Sequence, residues 1–496
     1  MSEKEEVMSE KEEVMSEKEE LFSIVGSGYV LSNPEVLEEY SKDHSFTPQR
    51  KPDLVVKPKN PEEVQKIVRW ANATNTPLIP VSSGPPHFRG DTIPRMGGVV
   101  VDLSRMNKIE WINRKNKIAC VEPGVTFAQL QPELKKEGLK LPAPLLPRST
   151  KSVIGSFLER EPVLTPRYQW DVSDPLRCVE VVFGNGELLR SGEASGPGTI
   201  EQQRSIGGAQ IWPEGPHQVG YHRIIQGAQG TMGIVTWASL KCETLPKVQK
   251  LFFVPAQEVE SLFSLVYRLL KVNYGDEILI LNNLDLACLL GSDAADIEER
   301  SEILPPWTLI FCLAGYDRYP EERVAYQENY VKDIAQQFGL ELKMSLPGAG
   351  ESKVLEALSG TKDPYWKLLP KGECEDIFFI TTLDRTPPFI QTMYEVASRL
   401  SYPTGNIGVY LEPMVQGTSC HCEFDLFYEP SQKEKVQELS NLVSCALMAK
   451  GAFFSRPYGA WSDMVYSQSA EYTAALRKVK GIFDPQGVMN PGKLCF

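Results

Sequence analysis

Apolar and polar positions along this chain follow two alternating periods. Lys51 to Lys59 (KPDLVVKPK) is a short apolar run bounded by prolines and predicts a strand. Asn60-Pro61-Glu62-Glu63 then opens a helix, with a capping side chain, a proline at the first helical position and two acids at the positive end of the dipole. Apolar residues at helical spacing carry it to about Ala73, and Pro77 to Val81 is a buried strand that completes a β-α-β unit. Gly98 to Leu103 and the alternating run Ile109 to Val121 are strand-like, and Phe127 to Glu137 is helical, ending at Gly138. Near Val248 the glycine clusters stop. From Leu251 to about Lys450 the pattern predicts helices over Gln257 to Lys271, Phe389 to Leu400 and Lys433 to Lys450, and strands over Trp307 to Ala314, Ile407 to Pro413 and Cys420 to Tyr428.

The first 22 residues break this pattern. MSEKEEV, MSEKEEV and MSEKEEL repeat with a period of seven, and their nine Glu and three Lys make up nearly half of the chain's net charge of -13. Ser2, Ser9 and Ser16 each precede a Glu by three residues, as in a capping box, and apolar pairs such as Val7-Met8 recur. A short amphipathic helix and a solvated acidic tail both fit. The 496 residues exceed what one hydrophobic core usually supports, so two domains are expected. With 42% hydrophobic and 24% charged residues, the chain has ordinary globular composition. No run approaches the roughly 18 apolar residues of a membrane helix. The acidic balance argues against nucleic acid as a partner. Ten scattered cysteines show neither zinc-ribbon nor iron-sulfur spacing and fit a reducing cytoplasm, and no secretory signal is visible.

Candidate chemistry lies in three separated segments. Pro80 to Phe127 contains PVSSGPPHFRGDTIP and VEPGVTF, Gln226 to Thr236 reads QGAQGTMGIVT, and Phe483 to Leu494 reads FDPQGVMNPGKL. Each couples a β-rich apolar run to glycines beyond those a turn requires, as expected where backbone approaches a large phosphate-bearing cofactor. Together they predict a flavin site.

VEPGVTF, SVIGSFLER with LTP and EVVFGNGELLRSG after it, QGTMGIVT and the closing NPGK resemble the flavoproteins of the vanillyl-alcohol oxidase and p-cresol methylhydroxylase family, in order, over almost the whole chain beyond Pro34. The resemblance implies an α+β fold in which a discontinuous FAD-binding domain carries an inserted α+β cap. FAD-domain sequence would occupy residues 23–247 and return in 451–496, with the cap over 248–450. It further implies that Ser82, Ser83, Gly84 and Gly90 wrap the pyrophosphate, with His87, Pro94 and Pro123 in the same segments. Pro85 and Pro86 depart from the pattern and remove two backbone donors from that cradle. Gly155, Ser156, Gly230, Thr231 and Gly233 match segments lining FAD, Ile234 and Val235 form a strand beside the adenosine end, and Asn490 and Lys493 sit in the closing motif. Relatives that tether FAD through the loop carry a histidine four residues before its glycine, a position held here by Pro86. Others attach it through the cap, where His421 or Cys422 falls. In a strand His421, Glu423 and Asp425 share one face and Cys420, Cys422 and Phe424 the other, so only one set can face the flavin. Non-covalent FAD is favoured.

In phenol-oxidising relatives two tyrosines and an arginine hold a phenolate. Here the loop position becomes Arg89, and the Tyr-Arg pair near the C-terminus becomes Trp461-Ser462. Arg89 suits an anionic group such as a carboxylate, with Trp461 as an aromatic wall, or pairs with Asp91 or another acid of its loop. The acid that relatives place near the flavin falls at Gln169 or Asp171; an Asp could accept a proton, whereas a Gln could only hydrogen-bond. Tyr365, Tyr410 and Tyr458 are further pocket candidates. The implied reaction passes a hydride from a small aromatic or carboxylate-bearing alcohol or alkyl substrate to FAD, reoxidised by oxygen, a cytochrome or another electron carrier, in a homodimer. The metal-binding G-D-G-N-x-H string of D-2-hydroxyacid dehydrogenases does not occur, so no metal is expected and that branch is disfavoured. A flavin-binding or flavin-less subunit of a larger complex is the alternative.

Overall fold

The computed structural model describes residues 19–167, 175–216 and 220–496. A first sheet is built from β1 (Val30–Leu31), β2 (Leu54–Val56), β3 (Leu78–Val81) and β4 (Val99–Asp102) in the order β1-β2-β4-β3, with β2, β4 and β3 parallel. Helix α1 (Pro61–Thr74) makes the crossover from β2 to β3. Its cap is the one the sequence predicts: Asn60 Oδ1 accepts from the Glu63 backbone N–H at 2.9 Å, while Glu63 reaches back to the Lys59 N–H at 2.9 Å. The apolar stripe Val64, Ile67, Val68 and Ala71 is fully buried. Asn60→Ala should therefore lower stability by about 1 kcal/mol, read as a lower urea midpoint; an unmoved midpoint would show that tertiary packing alone holds the helix start. The last apolar pair of the heptad repeat reaches this core. Residues 19–25 are helical, Leu21 is fully buried in one cluster with Ile67 and Leu78, and Phe22 packs against it.

The predicted alternating run resolves into two strands, β5 (Ile109–Asn113) and β6 (Ile118–Val121), followed by α2 (Phe127–Lys136) and the short α3 (Val153–Leu158). With β7 (Leu176–Phe183), β8 (Leu188–Arg190) and β9 (Gly233–Lys241) they give an antiparallel sheet of order β5-β6-β9-β7-β8. Gly233 pairs with Phe183, and a Cβ at Gly233 would lie 2.5 Å from the Val182 carbonyl oxygen, so close strand approach requires glycine there.

The third sheet holds β10 (Val248–Ala256), β11 (Ile278–Asn282), β12 (Trp307–Gly315), β13 (Glu373–Thr381), β14 (Ile407–Met414) and β15 (Ser419–Tyr428), all antiparallel, in the order β10-β12-β11-β14-β15-β13. Helices α6 (Thr386–Arg399) and α7 (Lys433–Ala449) cover one face, burying Phe389, Met393, Val436, Leu439 and Val443 against Cys422, Phe424 and Val409. The other face meets α5 (Asn283–Leu290), which follows α4 (Phe263–Lys271) in the chain, and the segment carrying Leu145 and Leu146. After α7 the chain returns to the first two sheets. Leu78 N–H bonds the Val488 carbonyl and Asn490 N–H bonds the Leu78 carbonyl, at 2.8 Å each.

Candidate active site

Three contiguous cavities run between the sheets. The outer one is walled by Pro123, Ile154, Gly155, Gly230, Gly233, Ile234 and Val235. It shares Pro80, Ser82, Asp91 and Glu159 with a middle cavity that adds Ser83, His87, Arg89, Arg148 and Lys151. The middle one shares Arg89, Arg148, Lys151, Glu161 and Tyr365 with an inner cavity closed by Trp366, Lys367, Tyr410, Glu423 and Arg456.

The glycine loop is held by distant backbone. Gly84 N–H donates to the Thr150 carbonyl at 2.9 Å, Thr150 Oγ1 donates to the Pro85 carbonyl at 2.8 Å, and Ser83 Oγ accepts from the Ser152 N–H at 3.0 Å. The Pro85-Pro86 peptide is cis. Gly90 N–H donates to Asp43 at 2.6 Å, and a Cβ there would strike Thr47, so its side faces away from the cavity. Lys493 Nζ donates to the carbonyls of Gly90 and of Ile93, beside the buried Pro94. Asn490 Nδ2 donates to the Asp91 and Gln229 carbonyls at 3.0 and 2.7 Å. Ser152 Oγ bridges the Pro123 carbonyl and the Gly155 N–H, and Ser156 Oγ donates to Glu161 at 2.5 Å. Thr231 Oγ1 turns back to the Ala228 carbonyl, and Gly230, at φ 71°, lets the chain pass the Pro80 ring, which a Cβ would approach to 2.7 Å. Asn490 and Lys493 thus act on the loop from behind, through its carbonyls.

The inner cavity is floored by one face of β14, β15 and β13. Gly408, Asp425 and Asp376 pair in one row, Tyr410, Glu423 and Phe378 in the next, and Glu412, His421 and Ile380 in the third. Directly opposed residues share a face, so these rows form a polar floor. Cys422 lies on the opposite face, fully buried beneath α6 and α7, and burial pushes its thiol well above the ordinary range. Of the two candidates the cap offers for flavin contact, only His421 shares the cavity-side face. Its Nε2 is 2.8 Å from Glu423 Oε2, and burial lowers its pKa, keeping the ring neutral.

Arg89 does not pair with Asp91. Its Nη2 lies 3.1 Å from Asp376 on β13, and its guanidinium stacks 4.5 Å from the Phe378 ring. Asp376 and Glu423 outweigh the cost of burial and raise its pKa. Trp461 packs edge-on against Phe378 and Phe454 and donates its indole N–H to Ser444 at 2.9 Å. It walls a separate cavity beyond Arg89, shared with Tyr458, rather than the inner one. The C-terminal side chain that reaches the inner cavity is Arg456, five residues earlier, on an irregular segment whose register no periodicity reveals. Gln169 and Asp171 lie outside the described residues. His87 borders the middle cavity, where burial, with Arg148 and Lys151 nearby, lowers it to about 3.

The charges around the inner cavity do not all pair. Lys151 holds Glu159 at 2.6 Å and Glu161 at 3.3 Å, and with Ser156 it brings Glu161 down to about 2 against the cost of burial. Lys367 Nζ contacts Glu423, Asp425 at 2.9 Å and Asp376 at 3.1 Å; it thereby takes the position among Cys374, Asp376 and Asp425 that their clustering would offer a cation. Arg148 and Arg456 have no carboxylate within ion-pair distance among the described residues. Arg456 is 6% exposed and lies 4.1 Å from the Phe378 ring, Arg148 Nε is buried without a partner, and burial lowers the pKa of both. Sequence reading missed Arg148, Lys151, Lys367 and Arg456.

Burial raises Asp285 and Glu412, each to about 8. Both hold protons in the folded state that the unfolded chain has lost above its ordinary carboxyl range. The stability this gives is full below that range and disappears as pH rises through about 8. The thermal midpoint should therefore fall between about pH 5.5 and pH 8.5; a flat profile would show both acids ionised.

Residues 52–192 match the FAD binding domain family and residues 462–494 the FAD linked oxidases, C-terminal domain family. The structure of p-cresol methylhydroxylase with substrate bound superposes with a TM-score of 0.82 at 19% identity, over 98% of this chain and 97% of that one. The chain carries the FAD-binding and C-terminal domains of FAD-linked oxidoreductases on the fold of p-cresol methylhydroxylase. An FAD-linked oxidoreductase of Mycobacterium tuberculosis is 22% identical over 95% of this flavoenzyme and 96% of its own length. The D-2-hydroxyglutarate dehydrogenase of Stutzerimonas stutzeri is 24% identical over 96% of this chain and 97% of its own. The hydroxyacid branch, disfavoured on one absent string, is thus among its relatives. The cavities suit FAD: the outer walls are largely apolar with glycines, and the middle stretch gathers Ser82, Ser83 and the buried, unpartnered Arg148 Nε, groups that can bind an anionic pyrophosphate. Among the described residues no helix is long and apolar enough to cross a membrane.

Proposed function

We propose that this FAD-linked oxidoreductase oxidises a small alcohol bearing a carboxylate, of the 2-hydroxy acid kind, in the inner cavity. The observation that carries the reading is Arg456, a buried guanidinium on the cavity wall with no carboxylate within ion-pair distance among the described residues. A buried cation without a counter-ion is costly, and a bidentate carboxylate supplies one. The Stutzerimonas stutzeri relative, by its name, acts on such a substrate.

Ser82, Ser83 and Arg148 would hold the FAD pyrophosphate, and Gly230, Ile234 and Val235 the adenosine end. Bound there, FAD supplies the acceptor for two electrons. The chain's own part is to fix the substrate carboxylate at Arg456, to exclude water with Tyr365, Trp366 and Tyr410, and to receive the hydroxyl proton. Glu423 is the acceptor this reading assigns: it faces the cavity, is 7% exposed, and is held ionised by Lys367 and His421 against the cost of burial.

The test is anaerobic bleaching of the flavin absorbance by D-lactate, D-2-hydroxyglutarate and a neutral aromatic alcohol. Bleaching by the hydroxy acids alone is the predicted outcome, and bleaching by the neutral alcohol alone would refute the reading.

A further inference from the structure

The cavity beyond Arg89 stands apart from the three that FAD and substrate would fill. Phe46, Phe88, Tyr458 and Trp461 wall it, and its volume is about 280 Å³ against about 70 Å³ for the inner cavity. A void of that size is no packing defect, since protein interiors leave few voids larger than a water molecule. It shares Phe88, Arg89 and Asp376 with the middle cavity, Arg89 with the inner one and Tyr458 with the outer one. A wall of shared side chains is thus all that separates it from each of the three.

That placement decides what kind of occupant fits. A substrate carbon must come within about 3–3.5 Å of the atom that takes its hydride. Arg89, paired with Asp376 at 3.1 Å, and Tyr458 stand in the way of such contact. Electrons, by contrast, cross a layer of side chains without contact. The walls also select a shape. Phe88 is stacked on His44 at 5.0 Å, and Trp461 is fixed by Phe378, Phe454 and its bond to Ser444, so a flat ring entering the cavity meets aromatic rings already held in place. Arg95, Gln437 and Asn441 on its lining make no side-chain hydrogen bond or ion pair among the described residues, and all three can donate. Glu375, on the edge strand β13, accepts from Ser440 Oγ at 2.9 Å. Burial raises it to about 7, with Asp376 adding and Arg89 opposing, so it carries a proton for much of the time near neutral pH.

We propose that this aromatic-walled cavity binds a quinone, which takes up the electrons that FAD has received. A quinone is a flat ring with two carbonyl acceptors, and the cavity offers rings to stack on and donors to meet the carbonyls. The assignment rests on the FAD-binding domain and not on the choice of alcohol. Two electrons cross the wall formed by Phe88, Arg89 and Tyr458, and both quinone C=O groups become C–OH. One of the two protons this needs comes from Glu375 and the other from water at the mouth. Two protons released on the flavin side as FAD is regenerated balance them, and Glu375 refills from solvent.

The test uses menadione and the FAD-loaded protein. Binding is read first, without turnover: menadione should quench the tryptophan emission of the oxidised protein saturably. Asn441→Tyr on α7 and Ala460→Phe beside Trp461 each fill the cavity from its lining, and either should raise the half-saturating menadione concentration at least about tenfold. The two act from different elements, so misfolding of one leaves the other to decide. Transfer is read next, with the flavin reduced photochemically in the absence of oxygen, so that no alcohol enters. Menadione should restore the flavin absorbance at a rate that saturates in the parent and not in the filled variants, while ferricyanide restores it equally in all. Glu375→Gln should slow the saturated rate about tenfold and leave the half-saturating concentration unchanged. A decyl-tailed ubiquinone analogue run in parallel separates a lipid-borne quinone from a small soluble one by which half-saturates lower. Quenching and reoxidation that do not saturate, or that saturate alike in the parent and both filled variants, would overturn the quinone site. Failure of every hydroxy acid to bleach the flavin would refute the proposed function and leave this result standing.

Discussion

Replacing Arg456 with Gln should raise the half-saturating concentration of a hydroxy-acid substrate about ten- to a hundredfold and leave FAD bound. A hydrogen bond to a charged group contributes about 1.5–3 kcal/mol, and each 1.4 kcal/mol is a factor of about ten in affinity. Arg456 belongs to this range because it is buried, lies against the Phe378 ring and has no carboxylate within ion-pair distance among the described residues. Arg89 differs: Asp376 already occupies it, so Arg89→Gln would release Asp376 as well as remove a cation. Arg456→Lys should recover only part of the loss, since an ammonium cannot reproduce the planar fork. Steady-state kinetics beside a visible spectrum separate the outcomes. Unchanged affinity with intact flavin absorbance would remove Arg456 from the substrate site, and lost absorbance would move it to the cofactor.

Lys367→Met should be the most damaging single change to the fold. Lys367 Nζ is the shared partner of Asp376, Glu423 and Asp425, all less than a tenth exposed. Its removal leaves carboxylates buried without compensation, and breaking such a cluster from one side costs about 3–5 kcal/mol. Urea unfolding should show that loss, and soluble yield should fall with it. Adding Glu423→Gln removes one orphaned charge, so the double variant should be more stable than Lys367→Met alone, by a coupling of about 0.5–3 kcal/mol. A Lys367→Met protein as stable as the parent would mean that the row of acids carries its own compensation.

The elements whose signals are local were legible in the sequence. Asn60, Pro61 and the stripe Val64, Ile67, Val68 and Ala71 announce α1 within one stretch of chain, and the structure places the helix over Pro61–Thr74. Alternation along Ser419–Tyr428 separates the His421 face from the Cys422 face, but which one meets the cavity depends on α6 and α7 covering the other. Arg148 and Arg456 lie on irregular segments, where no period assigns a direction to a side chain. Lys367 is more hidden still. A lysine after Tyr365-Trp366 reads as a solvated charge, and its three partners stand on two strands, nine or more residues away in sequence. Asp376 is similarly masked, since ECEDI begins β13 with acids where a buried strand would be expected to begin with apolar residues.

The grip of Lys493 on the Gly90 and Ile93 carbonyls spans 403 and 400 residues of chain. At the usual pace of translation, about 5–20 residues per second, a ribosome needs roughly 20–80 s to travel from one end of that contact to the other. Throughout that interval the nascent glycine loop lacks the lysine that fastens it. Flavin capture in the final geometry therefore follows synthesis of the whole stretch from Gly90 to Lys493.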